Sequence, residues 1–411
     1  MSYLKIIGIL FIGTILMGCN QQGTNKNQKN MQELSKGSYG FDRHFLENHL
    51  NIIELKDGES ALTLVPAYQG RVMTSTCEGD KGFSFGWMNY DLIESSEILE
   101  HINPVGGEER FWIGPEGGQF SIYFEKEKDF VFDNWFVPAP LDTEMFETIS
   151  QDGNMASFKK EMSLVNYSGT KFKINVLRDV SLLSTELIDK HLNIVSEDLS
   201  VVAYETSNTI INKGDQNWEK ETGLLSIWML SMLIPSPEVT IVIPVKNGEI
   251  AELGQRVNDD YFGKISENRL RIIDNTVFFK ADGKSRGKIG IPPLRATRFM
   301  GSYDGENQAL TIVECILPEN NSDFVNSAWE FQENPYQGDA LNSYNDGPLE
   351  DGSQMGPFYE LETSSPALSL KTGESYTHLQ RIYHFKGEKS LLNKISVKVL
   401  AVSLKEIEDA F

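Results

Sequence analysis

The sequence predicts an all-β fold, a many-stranded antiparallel sandwich with short helices at the termini, on three observations. Dipeptides that favour tight hairpin turns recur along the chain, with Asp-Gly at 57, 152, 282, 304, 346 and 351 and Asn-Gly at 247. Apolar runs of strand length lie between them. Helical patterning is confined to the two ends.

In chain order, "FDRHFLENHL" near residue 45 predicts a short helix, and "NIIELKDGESALTLVP" predicts a hairpin turning at Asp57-Gly58. Extended runs follow at 71–76, 83–88, 119–124, 171–181, 201–212, 224–232, 239–245, 295–302, 309–317 and 376–385. The closing "SLKEIEDAF" places Ser403 and Glu406 at the spacing of a capping box, in which each side chain bonds the other's backbone N–H. No long Pro/Ser linker divides residues 39–411, which therefore read as one domain.

The first residues carry an address. "MSYLKIIGILFIGTILMGCN" has Lys5, an apolar run from Ile6 to Met17, then Gly18-Cys19. That run is too short to span a bilayer comfortably and predicts a signal segment over 1–18. "LMGC" resembles the lipobox of bacterial lipoproteins, which makes Cys19 the lipidated first residue of the mature chain. Each buried acyl CH₂ contributes about 0.8 kcal/mol, so a multiply acylated Cys19 holds the protein on a lipid bilayer. The expected location is the bacterial cell envelope, with the outer membrane first. Residues 19–38, polar and rich in Asn, Gln, Lys and Gly, read as a flexible tether.

Composition narrows the function classes. The chain has 37 Lys and Arg against 59 Asp and Glu, a net charge of −22, which argues against a nucleic-acid partner. There is no P-loop, HExxH, CxxC pair or dinucleotide fingerprint, and the six histidines are scattered. Cys77 and Cys315 leave two readings open, a disulfide or two separate buried thiols.

What remains is acids, amides and aromatics. "HINPVGGEERFWIGPEGGQF" gathers His101, Glu108, Arg110, Trp112 and Glu116 in a Gly- and Pro-punctuated stretch that reads as a loop feeding a strand at Gln119. "GDQNWEKETGLLSIW" sets Trp218 and Glu221 before an apolar strand, a candidate sugar-stacking platform. In "FYELETSSPALSL", Glu360 and Glu362 alternate with Leu361 and so share one face of a strand. In "GDALNSYNDGP", Asp339, Asn342 and Asp346 are oxygen donors of the kind calcium takes, but an Asx-rich turn is the simpler reading and no cofactor is expected.

The segment from Leu361 to Phe385, with its Leu-Glu-Thr strand, following Pro, Gly-Glu pair and aromatic last strand, resembles the closing segment of galactose mutarotase-like proteins. That resemblance implies a galactose mutarotase-like β-supersandwich. It also implies that Glu362 is the general base, since the Glu of Leu-Glu-Thr takes the anomeric proton in aldose 1-epimerases. Arg71, after Gly70, is placed like the family's early sugar-binding Arg. "SNTIINKG" stands where these epimerases show His-x-Tyr-Phe-Asn, so Asn208 falls at the acid histidine and Asn212 at the final Asn. An amide supplies no mobile proton, so a substitute acid is expected from His101, Glu116 or Glu221. "GGEERFWIGPEGGQFS" and "LNSYNDGP" further resemble Bacteroidota-type lipoproteins without an assigned activity. The expected function is a membrane-anchored, carbohydrate-recognising lipoprotein with a saccharide ligand. Turnover of an aldose 1-epimerase or other sugar-active kind stays open, and the alternative is a structural or interaction lipoprotein of the envelope.

Overall fold

The computed structural model describes residues 34–319 and 322–411. Its strands, in chain order, are β1 Ile53–Asp57, β2 Ser60–Val65, β3 Arg71–Thr76, β4 Arg110–Gly114, β5 Glu147–Gln151, β6 Met155–Val165, β7 Lys171–Leu182, β8 Ser200–Asn212 and β9 Ser226–Leu230. They continue as β10 Val239–Pro244, β11 Leu270–Ile273, β12 Thr276–Lys280, β13 Gly287–Ile291, β14 Phe299–Asp304, β15 Ala309–Cys315, β16 Leu341–Asn345, β17 Tyr359–Ser364 and β18 Ser375–Lys386. They form a three-stranded sheet (β1-β2-β3), a ten-stranded sheet (β11-β12-β10-β14-β15-β18-β8-β7-β6-β5) and a five-stranded sheet (β13-β16-β17-β9-β4). Every pairing between these strands is antiparallel, as the hairpin dipeptides require.

Two large sheets pack face to face. Leu361 from β17, Ile227 and Met229 from β9, Phe111 and Ile113 from β4, and Ile289 from β13 share one core with Phe158, Phe172, Ile174 and Ile210 from the ten-stranded sheet. Each such side chain contributes about 1.5–3 kcal/mol by leaving water. The ten-stranded sheet's other face is covered by helices Lys389–Leu400 and Leu404–Glu408, which bury Leu392, Ile395, Leu404 and Ile407 against Val242, Ile312 and Tyr383. The five-stranded sheet therefore has one face in the sandwich and one turned away from it.

The hairpin at Asp57-Gly58 forms in register, Asp57 pairing Ser60. The N-terminal helix covers Tyr39–His49, and Ser403 with Glu406 makes the expected capping box. Three readings are corrected. Residues 83–88 and 119–124 make no named strand. The stretch around Glu108 is not a loop leading to a strand at Gln119: Arg110–Gly114 is itself β4, pairing β9, and the chain leaves the sheet after Gly114. Helices also occur inside the chain, notably Thr185–Leu192, which Ser184 caps by accepting a bond from the Leu187 N–H. Cys77 and Cys315 are both buried free thiols. The signal segment, Cys19 and most of the 19–38 tether lie outside the described residues. Among the described residues no helix is long and apolar enough to cross a membrane.

Candidate functional site

Strand alternation decides which acids meet. On β17, Thr363 points into the sandwich, where its hydroxyl meets His378 Nε2 at 2.9 Å and Gln380 Oε1 at 2.5 Å. Glu360 and Glu362 point the other way. Antiparallel register then aligns their neighbours on the same outward face: Asn342 lies opposite Glu362 on β16, Trp228 opposite Ser364 on β9, Trp112 opposite Trp228 on β4, and Lys288 opposite Tyr344 on β13. Although outward, this face is buried, because segments bearing Tyr261, Ser327 and Asp339 close over it.

Glu362 is fully buried. Its Oε2 accepts a bond from Lys288 Nζ at 3.1 Å and another from Trp228 Nε1 at 2.9 Å. Its Oε1 has no partner, and nearby Trp112 Nε1, Arg110 Nε and Ser226 Oγ are also buried without one. Four such atoms on a single sheet face leave it donors and acceptors for something else to bond, although unpartnered buried atoms also occur elsewhere in the interior, at Glu108 Oε2, Arg71 Nε and His378 Nδ1. Lys288 lies 4.8 Å from the Trp228 ring centre. Burial disfavours its ammonium, but Glu362, then Glu116 and Glu360, outweigh that and raise its pKa.

Two further carboxyls lie on this face. Burial raises the Glu116 pKa; Lys288 opposes the rise, Glu362 adds to it, and a bond from Trp329 opposes it. Glu360 pairs with Arg110 at 3.0 Å, yet burial outweighs that pairing and, with the Glu362 charge, pushes it up to about 8. The face therefore sets two carboxyls pushed toward their protonated forms beside Glu362, whose Oε2 two N–H donors bond. Arg110 also lies over Trp112, 4.3 Å from the ring centre.

Above Glu362, Tyr261 donates to Asp339 Oδ2 at 2.7 Å and Asn258 Nδ2 lies 2.9 Å from Asp339 Oδ1. Burial pushes Asp339 up to about 6, against the pull of those bonds. Asp346 instead accepts from the Tyr344 hydroxyl at 2.6 Å. Among the described residues no cluster of His, Cys, Asp and Glu has the makings of a metal site. The space between Trp228, Lys288, Tyr261, Ser327 and Asn342 measures about 20 Å³, room for about one water molecule.

Glu362, Glu360, Glu116, Arg110 and Trp112 thus come together. The remaining candidates do not. Asn208 sits on β8 between the sheets, opposite His378 and Arg178, and its amide oxygen takes Arg178 Nη1 at 2.7 Å. Glu362 is flanked instead by β16 and β9 of the other sheet, where it lies opposite Asn342 and Leu230 and takes its bond from Trp228. Glu108 is also interior, bonded to Ser75 at 2.8 Å and His384 at 2.8 Å. Arg71 is buried and binds the Gly106 carbonyl at 2.6 Å. Trp218 packs as core on Phe172, Glu221 is exposed, and His101 bonds the Trp135 carbonyl at 2.7 Å while stacked on Phe136. Lys288, Trp228 and Tyr261 were missed; the only signal was alternation, which puts Lys288 inside the apolar "KIGI" strand.

The sequence matches the model of a family of unknown function, DUF6786, over residues 37–411. No curated protein matches it. Among solved structures it is similar to the Slr1438 protein from Synechocystis sp. PCC 6803, at 13% identity and TM-score 0.50, over 82% of this chain and 96% of that one. It is also similar to a putative aldose 1-epimerase from Escherichia coli K12 (10% identity, TM-score 0.47, 81% and 98% covered) and to a galactose mutarotase-like protein from Lactobacillus casei ATCC 334 (8%, 0.44, 81% and 100%). These likenesses concern the fold.

Proposed function

The chain belongs to the DUF6786 family, and from the outward face of its five-stranded sheet we propose that it is a carbohydrate-recognising protein of the bacterial cell envelope, anchored through Cys19, with an acid and a base poised on a bound sugar. The observation that carries this reading is Glu362: a buried carboxylate, fixed by Lys288 and Trp228 on one oxygen, with its other oxygen free. A sugar hydroxyl is the kind of donor that oxygen lacks. Trp112 and Trp228 supply the flat apolar walls that pyranose C–H faces stack on.

The chemistry this arrangement supports is anomeric. Glu362 takes the proton of the C1 hydroxyl while Glu116, whose pKa burial raises, gives one to the ring oxygen. The bond from C1 to the ring oxygen breaks, leaving an aldehyde and a hydroxyl, and reclosure on the other face returns both protons. Glu116 thereby fills the acid role that Asn208, buried between the sheets, does not reach. A pyranose needs the segments bearing Tyr261 and Ser327 to part, because the space they leave is water-sized.

Polarimetry on glucose, galactose and xylose, with calorimetric titration alongside, tests the reading. Glu362→Gln is expected to lower turnover by about 10²–10⁴ and to weaken binding by about 1.5–3 kcal/mol, the worth of a hydrogen bond to a charged group. Heat of binding without change of optical rotation assigns a binder. Turnover that survives Glu362→Gln removes it as base.

A further inference from the structure

An aromatic path leads out of the site. Trp228, which bonds Glu362, lies 5.6 Å from Trp112; Trp112 lies 5.6 Å from Tyr123; Tyr123 stacks on Trp135 at 5.9 Å with a 6° angle between planes. There the path forks. Trp135 stacks on Trp329 at 5.7 Å and on Phe132 at 6.0 Å. Trp329 is half-buried and bonds Glu116, so it belongs to the rim of the site as well as to the path. Phe132 is 54% exposed, and Phe331, two residues after Trp329, is 70% exposed. Phe331 packs on Phe130 at 5.3 Å and on Tyr167 at 5.7 Å, and Phe130 reaches Trp329 through Phe124, so both exposed rings connect by ring contacts back to Glu362.

We propose that this rim is a second saccharide-binding region, and that the ligand is an oligosaccharide or polysaccharide whose one residue enters the Glu362 pocket while its neighbours lie on Trp329, Phe331 and Phe132. This rests on the carbohydrate reading of the pocket and extends it. Continuity favours a glycan over a protein partner: the exposed rings begin at a residue that bonds a carboxyl of the pocket, so an extended ligand engages both without a break. Glycans also suit the chemistry, since flat rings accept the apolar faces of successive sugars with little demand for sequence-specific bonds. The net charge of −22 points to neutral chains in preference to acidic ones.

The test is calorimetric titration of the full chain in detergent with glucose, cellohexaose and maltohexaose, repeated on Phe331→Ala and Phe132→Ala. Both positions are exposed, so folding is expected to be unaffected, and unfolding curves check that. The proposal expects at least one hexamer to bind about tenfold or more tightly than glucose, with the gain lost in the ring variants and glucose binding unchanged. Equal affinity for glucose and both hexamers overturns the second region and leaves the pocket standing. If no saccharide binds and Glu362→Gln alters nothing, the pocket reading itself has failed. A change of oligomeric state in the ring variants, with hexamer binding intact, assigns the rings to a second copy and also overturns the proposal.

Discussion

Two buried charged clusters lie on opposite sides of the five-stranded sheet, and they differ in how completely they are satisfied. Inside the sandwich, Glu109 pairs with Arg178, accepts Thr206 Oγ1 at 2.9 Å, and meets Gln380 Nε2 at 3.5 Å. Arg178 further binds the Gly70 carbonyl and Asn208. None of the side-chain polar atoms of Glu109, Arg178, Thr206, Asn208 or Gln380 is left buried without a partner. On the outward face, Glu362, Arg110, Trp112 and Ser226 each keep an unused donor or acceptor. A closed network has spent its bonding capacity on the fold. An open one retains capacity for a ligand, at a cost in stability that a protein without a ligand would have no reason to carry.

The largest expected effect breaks the closed cluster. Arg178→Met leaves Glu109 as an uncompensated buried charge and is expected to cost about 3–5 kcal/mol, read from the midpoint of urea unfolding. Saccharide titrations on the fraction that stays folded are expected to match those of the unaltered chain. A loss of binding larger than the loss of stability would mean the two clusters act as one.

The same contrast explains what was legible in advance. Glu360 and Glu362 could be placed together because a two-residue period fixes their common face whatever surrounds them. Asn208 could not be placed from a local motif: "SNTIINKG" says it lies on a strand, but only the pairing with His378 and Arg178 shows that the strand belongs to the other sheet. Lys288 and Trp228 stand about 70 and 130 positions from Glu362, and long-range register alone brings them to it. Strand β4 was hidden by its Gly- and Pro-rich flanks. The helix Lys389–Leu400 was hidden by β-branched residues that dilute its helical signal, and packing on the large sheet overrides that preference.

A smaller effect separates the clusters by pH. Burial raises Asp339 from its ordinary value to about 6, so between about 4 and about 6 the folded protein binds more protons at this site than the unfolded chain does. Stability from this group is therefore full below the unfolded value and lost as pH rises through that window. Asp339→Asn is expected to remove that loss, flattening the stability profile there by on the order of 2 kcal/mol. Unfolding measured at half-unit steps of pH reads it. An unchanged slope would mean that Asp339 is ionised in the folded protein.

The smallest effect concerns Trp329, the residue shared by the pocket and the exposed rings. Its indole N–H donates to Glu116, which favours the charged carboxylate and so opposes the rise that burial imposes. Trp329→Phe keeps a ring on Trp135 and removes the donor. Without that bond the Glu116 proton is held more tightly, so its titration moves upward. If Glu116 is the acid of the reaction, the alkaline limb of the kcat/KM profile moves upward with it, because the protonated form persists to higher pH. Carbon NMR of a Glu-labelled chain, with Glu116→Gln to assign the signal, reads the same shift whether or not the protein turns a sugar over. A Glu116 titration that moves downward or stays in place in Trp329→Phe would break the link between the pocket's acid and its aromatic rim.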